Sequence, residues 1–221
     1  MNPLCTTWGQ NPFALGDNYD SLLHTSFPHT AYREPPSLNQ AQLLDKIVFL
    51  KEINPQGDTP VFKVRIDENI RLLKVFTDRP ELSPWSKVPS PHPFIRFEHE
   101  RNAYAHLLHY GACAKGAVPQ CHGWIDLTQD DVDSMKLVPS ISEKHLASLN
   151  ASAGRNPPKA LVLEYLSRAK QISIDNINPE LANRALHALY WVHASYVWHR
   201  DFSRKNILAL PSERVVVVDF D

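Results

Sequence analysis

The chain has 221 residues, 43% of them apolar, and a formal net charge of -1, enough apolar side chain for one ordinary domain or two small lobes. A charge so nearly balanced gives no electrostatic reason to expect nucleic acid or an anionic membrane as partner, and no apolar run approaches the roughly eighteen residues that span a bilayer. Met1-Asn2-Pro3-Leu4-Cys5 lacks the basic start of a secretion signal, and Cys5, Cys113 and Cys121 are too widely spaced for a disulfide framework. The expectation is therefore a soluble cytoplasmic (or nuclear) protein with reduced thiols.

Residues 1–40, rich in Asn, Ser, Pro and Thr, show weak periodicity and read as an irregular extension. Leu43 to Ile53, Pro60 to Asp67 and Ile70 to Phe76 then read as three successive strands whose short polar connections favour an antiparallel sheet. Asp78 to Pro93 carries Pro80, Pro84, Pro89, Pro91 and Pro93, which forbid a regular helix and predict an extended loop. From Phe97 to Leu108 the spacing is helical, with Phe97, Tyr104, Leu107 and Leu108 on one apolar stripe. Glu100 lies on the side of that stripe, whereas Glu98 is turned round the helix from it. His99, His106 and His109 on the same helix read as polar surface rather than as a zinc set.

Val118 to Leu127 reads as a further strand, and Thr128 to Lys159 as a polar insertion with acidic residues Asp130, Asp131 and Asp133. So long a connection is expected to be either disordered or a surface element. Ala160 to Leu166 is a buried strand followed by a polar connection. Asn178, Pro179 and Glu180 then open a helix as its cap, first position and first turn, with Leu181, Ala185, Leu189 and Val192 as the apolar stripe. Ile207 to Leu210 and Arg214 to Val218 read as two short strands around the turn Pro211-Ser212-Glu213. That hairpin returns Asp219 to the side of Asn206.

The run His199-Arg200-Asp201-Phe202-Ser203-Arg204-Lys205-Asn206, followed after the hairpin by Asp219-Phe220-Asp221, resembles the catalytic loop and metal-binding corner of protein kinases. The helix around Glu100 is similar to the F-x-x-E-x-x-A-Y-x-x-L helix of kinase-like proteins of filamentous fungi. The resemblance implies an α+β, protein-kinase-like fold. Residues 41–166 would form an antiparallel sheet lobe with one main helix, carrying the insertion 128–159, and residues 167–221 would open a helical lobe.

It also implies ATP and magnesium as cofactors. Asp201 would orient the acceptor hydroxyl and Lys205 would reach the transferred phosphate. Lys74, paired with Glu100, would contact phosphates, while Asn206 and Asp219 would ligate the metal. Backbone groups of Glu164 and Leu166 would meet adenine, with Leu163 behind it and Leu208 beneath. The loop Asn54-Pro55-Gln56-Gly57-Asp58-Thr59 carries one glycine where the family uses three, so it offers phosphate fewer close amides.

The chain stops where the family's activation segment begins. The expectation is an incomplete second lobe with weak or absent transfer, an exposed stripe on the helix after Asn178, and self-association through that surface. A kinase-like interaction module without activity is the rival reading. Asp221, in place of the family's glycine, adds a likeness to aminoglycoside and choline phosphotransferases, and the phosphate acceptor, protein or small molecule, is not named by these residues.

Overall fold

The computed structural model describes residues 32–43, 45–77, 94–152 and 156–220. Most of the extension, the Pro-rich stretch 78–93 and Asp221 lie outside the described residues.

The fold is mixed α+β, built on a five-stranded antiparallel sheet in the order β1-β2-β3-β5-β4. Its strands are β1 (Val48–Glu52), β2 (Val61–Ile66), β3 (Asn69–Phe76), β4 (Cys121–Asp126) and β5 (Lys159–Glu164). Strand alternation sends successive side chains to opposite faces, and both faces are covered. On the inner face, Phe76, Leu161 and Leu163 pack with Phe97, Tyr104 and Leu107 of helix α1 (Ile95–His109). The helical spacing of Phe97, Glu100, Tyr104 and Leu107 explains their common burial. On the outer face, Phe62, Val64, Leu73, Val75 and Val162 pack with Val132, Met135 and Leu149.

Those last three residues belong to the insertion, whose described residues carry two helices. Helix α2 (Gln129–Lys136) begins at a capping box: the Thr128 hydroxyl accepts from Asp131 N–H, and the Asp131 carboxylate accepts from Thr128 N–H. Helix α3 (Glu143–Ala151) is capped by the Ser142 hydroxyl. The acidic residues lie on the solvent side as expected, but the apolar minority Val132, Met135, Val138 and Leu149 closes a second core. Of the two expectations for 128–159, the described residues fit the surface element, with the addition that it supplies core residues.

A second sheet, β6-β7-β8, joins β6 (Lys170–Gln171) to the hairpin of β7 (Ile207–Ala209) and β8 (Val215–Val217). Helix α4 (Pro179–Ala194) starts where Asn178 Oδ1 accepts from Leu181 N–H, with Pro179 in its first turn. Of its expected stripe, Ala185 and Val192 are buried and Leu181 and Leu189 half-buried, so the stripe is covered in larger part. Ala185 packs with Ile207 and Val215, while Ala188 and Val192 join the core that holds α1 and Val217. Val217 N–H also donates to Ala117 O, so the small hairpin is tied to the segment after α1 and supplies the surface on which α4 rests. Large apolar side chains are exposed elsewhere, at Ile174, Ile177, Tyr196 and Trp198.

Cys113 and Cys121 are buried and free, their thiols near the carbonyls of Pro119 and Gly123. Gly123 has φ +115, and a Cβ there would stand 2.6 Å from Asn39 O. Only glycine lets residues 39–41 lie this close to the edge strand β4, where Ala41 N–H donates to Trp124 O at 2.8 Å.

Candidate functional site

Lys74 lies on the inner face of β3, 7% exposed, and its Nζ is 2.5 Å from Glu100 Oε2 and 2.5 Å from Asp219 Oδ1. Strand parity aims Lys74 at α1, and the stripe position of Glu100 aims the carboxylate back. Asp219 arrives from the far end of the chain, 145 residues from Lys74. The Asp219 backbone has φ +73, a left-handed conformation that strains a residue with a side chain. Phe220 then enters the core, its ring 5.7 Å from Tyr104 and 5.1 Å from His199. Burial pushes the Asp219 carboxyl up, but the Lys74 ammonium, helped by Arg96 and Lys205, outweighs it and holds the group below its ordinary value.

The loop after α4 is built around His199, which is 6% exposed. Its Nε2 donates to Val218 O at 2.9 Å, and its Nδ1 accepts from Asp201 N–H at 3.3 Å. One imidazole therefore joins the segment between β8 and Asp219 to the loop that carries Asp201. Asn206, also buried, donates through Nδ2 to Asp201 O at 3.0 Å, while its own carbonyl accepts from Val218 N–H at 3.0 Å. With Nδ2 so engaged, Oδ1 is the side-chain atom left to meet a cation. Asp201 and Lys205 are exposed and paired at 2.8 Å. That contact lowers the carboxyl's pKa and raises the ammonium's, so Asp201 is a carboxylate at neutral pH, able to accept a hydrogen bond from a hydroxyl.

At the end of β5, Glu164 N–H donates to Gln120 O at 2.8 Å, and the Leu166 carbonyl closes a turn with Ala169 N–H. The Glu164 side chain receives both ends of the Arg214 guanidinium, at 2.6 and 3.0 Å. Arg214 also donates to Gly116 O and Val118 O. Burial raises the Glu164 carboxyl and these donors bring it below its ordinary value. Leu163 is buried on the inner face, and Leu208 is half-buried on β7, opposite Val216.

The arrangement thus brings Lys74, Glu100 and Asp219 into direct contact, and joins Asp201, Lys205 and Asn206 on the adjoining loop. Glu164 ends β5, Leu166 lies in the connection that follows, and Leu208 lies on β7 of the second sheet. Three features escaped sequence reasoning. Arg96, in the first turn of α1, lowers both Asp58 and Asp219 through charge. Arg214 joins the two sheets from the position just before β8, and His145 reaches the β1–β2 loop from the insertion. None has a local pattern, since each partner is distant in sequence.

Chemically, Lys74 faces two carboxylates, an excess of negative charge that suits a divalent cation. The Asp219 carboxylate and the Asn206 amide oxygen are the hard donors placed to take one, and magnesium commonly uses one or two carboxylates with its remaining ligands from phosphate and water. Among the described residues there is no cluster of three His, Cys, Asp or Glu that would hold a metal unaided. Among them there is also no helix long and apolar enough to cross a membrane. No protein-family model matches the chain, and no curated protein sequence matches it either.

Proposed function

We propose that the chain is a protein-kinase-like phosphotransferase module that uses ATP and magnesium. The observation that carries this reading is Lys74, held 2.5 Å from both Glu100 and Asp219 by three separate parts of the chain. Lys74 Nζ is placed to neutralise phosphate oxygens, with Glu100 fixing its position. Asn206 and Asp219 would hold magnesium, which supplies positive charge to the phosphates. Asp201 accepts the hydrogen bond of the acceptor hydroxyl and orients its oxygen. Lys205, within reach of Asp201, stabilises charge on the transferred group.

The non-catalytic reading has one observation in its favour. Gly57 N–H, the glycine amide of the β1–β2 loop, is spent on Asn54 O at 3.1 Å rather than offered to phosphate. Calorimetric titration with ATP and magnesium, followed by transfer of radiolabelled phosphate to protein and small-molecule acceptors, decides between the readings. Binding heat lost in Asp219→Ala and turnover lost in Asp201→Asn are the expected results. Binding without turnover would favour the interaction module, and no binding would overturn the nucleotide site.

A further inference from the structure

The insertion does more than cover a sheet face. The Glu52 carboxylate, 2% exposed on β1, accepts from Ser142 N–H at 2.7 Å through one oxygen and meets His145 Nδ1 through the other. His145, fully buried on α3, meets Gly57 O at 2.9 Å through Nε2. Gly57 O can only accept, so Nε2 carries a hydrogen, and one hydrogen shared between Nδ1 and Glu52 joins the ring to the acid. Lys144, beside it on α3, donates to Gly57 O at 3.0 Å and to Asp58 Oδ1 at 2.6 Å. Glu52 N–H is also taken from the insertion's side, by Ser140 Oγ at 2.9 Å.

What this holds is the loop that leads to Lys74. The β2–β3 register sets Val61 opposite Lys74, and Val75 N–H donates to Pro60 O at 2.9 Å, so residues 54–60 lead directly onto the site lysine. Asp58 and Asp219 both bear electrostatically on Lys205, which puts the loop tip within reach of the Asp201 loop. With its glycine amide turned to Asn54 and its glycine carbonyl turned to α3, this loop is pinned from outside.

We infer that His145 is a positioning residue: clamped between Glu52 and Gly57 O, it fixes the β1–β2 loop that leads to Lys74, so that the insertion sets the affinity of the Lys74 site for the phosphates of a nucleotide. The loop's dependence on His145 stands on the geometry alone; the consequence for phosphate rests on the function proposed above. The exposed contact of Lys144 with Asp58 is a minor part of the clamp, being screened by water.

The test has two arms. In the intact chain, nitrogen NMR of the His145 ring should show hydrogen on Nε2 at neutral pH; a ring whose Nε2 carries none would overturn the clamp. Hydrogen exchange at residues 54–60 is then compared between the native chain and Glu52→Leu/His145→Leu, which removes both partners together and so leaves neither buried alone. Exchange there should rise by about tenfold or more, with the amides of β3 and β5 unchanged. An unchanged loop in the folded variant would overturn the proposal, and if the variant does not fold, the ring measurement decides. Where the native chain binds ATP with magnesium, the variant should weaken ATP by about tenfold and leave adenosine within about twofold, because the loop reaches phosphate and not base. Equal loss for both ligands would reduce His145 to a general structural role. Failure of the native chain to bind ATP would sink the proposed function while the exchange arm still judged the clamp.

Discussion

The two faces of the five-stranded sheet each bury an ion pair, and the pairs differ in how completely they are closed. On the outer face, Glu52 and His145 have their partners within one enclosure: a backbone amide, a carbonyl and each other. On the inner face, Lys74 is shared by two carboxylates, one sealed and one 37% exposed at its side chain. A closed pair can only hold structure. An over-supplied one retains charge with which to bind something else, and that contrast separates the scaffold from the site more sharply than burial does.

The largest effect should come from breaking the closed pair on one side. Glu52→Gln takes from the buried His145 ring and the Ser142 amide their shared acid and should cost about 3 to 5 kcal/mol in urea unfolding. Glu100→Gln should cost less, about 1 to 2 kcal/mol, because Lys74 keeps Asp219 as a partner. Equal costs would erase the distinction. Arg214→Ala, which removes the guanidinium between the two sheets, should cost about 2 kcal/mol and raise the Glu164 carboxyl toward its ordinary value, measurable by carboxyl NMR titration.

A pH test sharpens the inner pair. The Asp219 carboxyl lies below its ordinary value when folded, so its pairing stabilises the chain fully above about pH 4 and is lost as pH falls through the lower folded value. Asp219→Asn should therefore lose less stability than the native chain between about pH 5 and pH 3, read from urea midpoints. The smallest effect belongs to Lys144→Ala: its exposed contact with Asp58 should contribute no more than about 0.5 kcal/mol to the same midpoints.

Local patterns in the sequence led to much of this arrangement. The antiparallel strands, the Asn178-Pro179 helix start and the hairpin after Asn206 follow from alternation, capping and turn residues that lie close together. Helical spacing put Glu100 on the side of the apolar stripe, while its pairing with Lys74 was expected from the resemblance alone. The insertion was not legible in the same way. Its helices are short, their apolar residues few, and the charges Asp130, Asp131 and Asp133 dominated the reading, although Thr128 and Asp131 form a capping box. Glu52 and His145 stand 93 residues apart, and a tertiary contact of that span leaves no periodic trace in either segment. The covering of α4 was misjudged for a related reason: its partners, Ile207, Val215 and Val217, lie in strands so short that their capacity to support a helix emerged only from the folded hairpin.

The two buried cysteines carry a practical consequence. Burial pushes the Cys113 thiol up to about 11 and the Cys121 thiol up to about 12. At neutral pH only about one Cys113 side chain in ten thousand is then a thiolate, the form that reacts with alkylating reagents. Modification of either sulfur must wait for the junction between the end of α1 and β4 to open, so the rate of alkylation acts as an internal clock for that opening. Followed with and without a candidate ligand in the cleft, the same clock would register occupancy of a site that contains no cysteine.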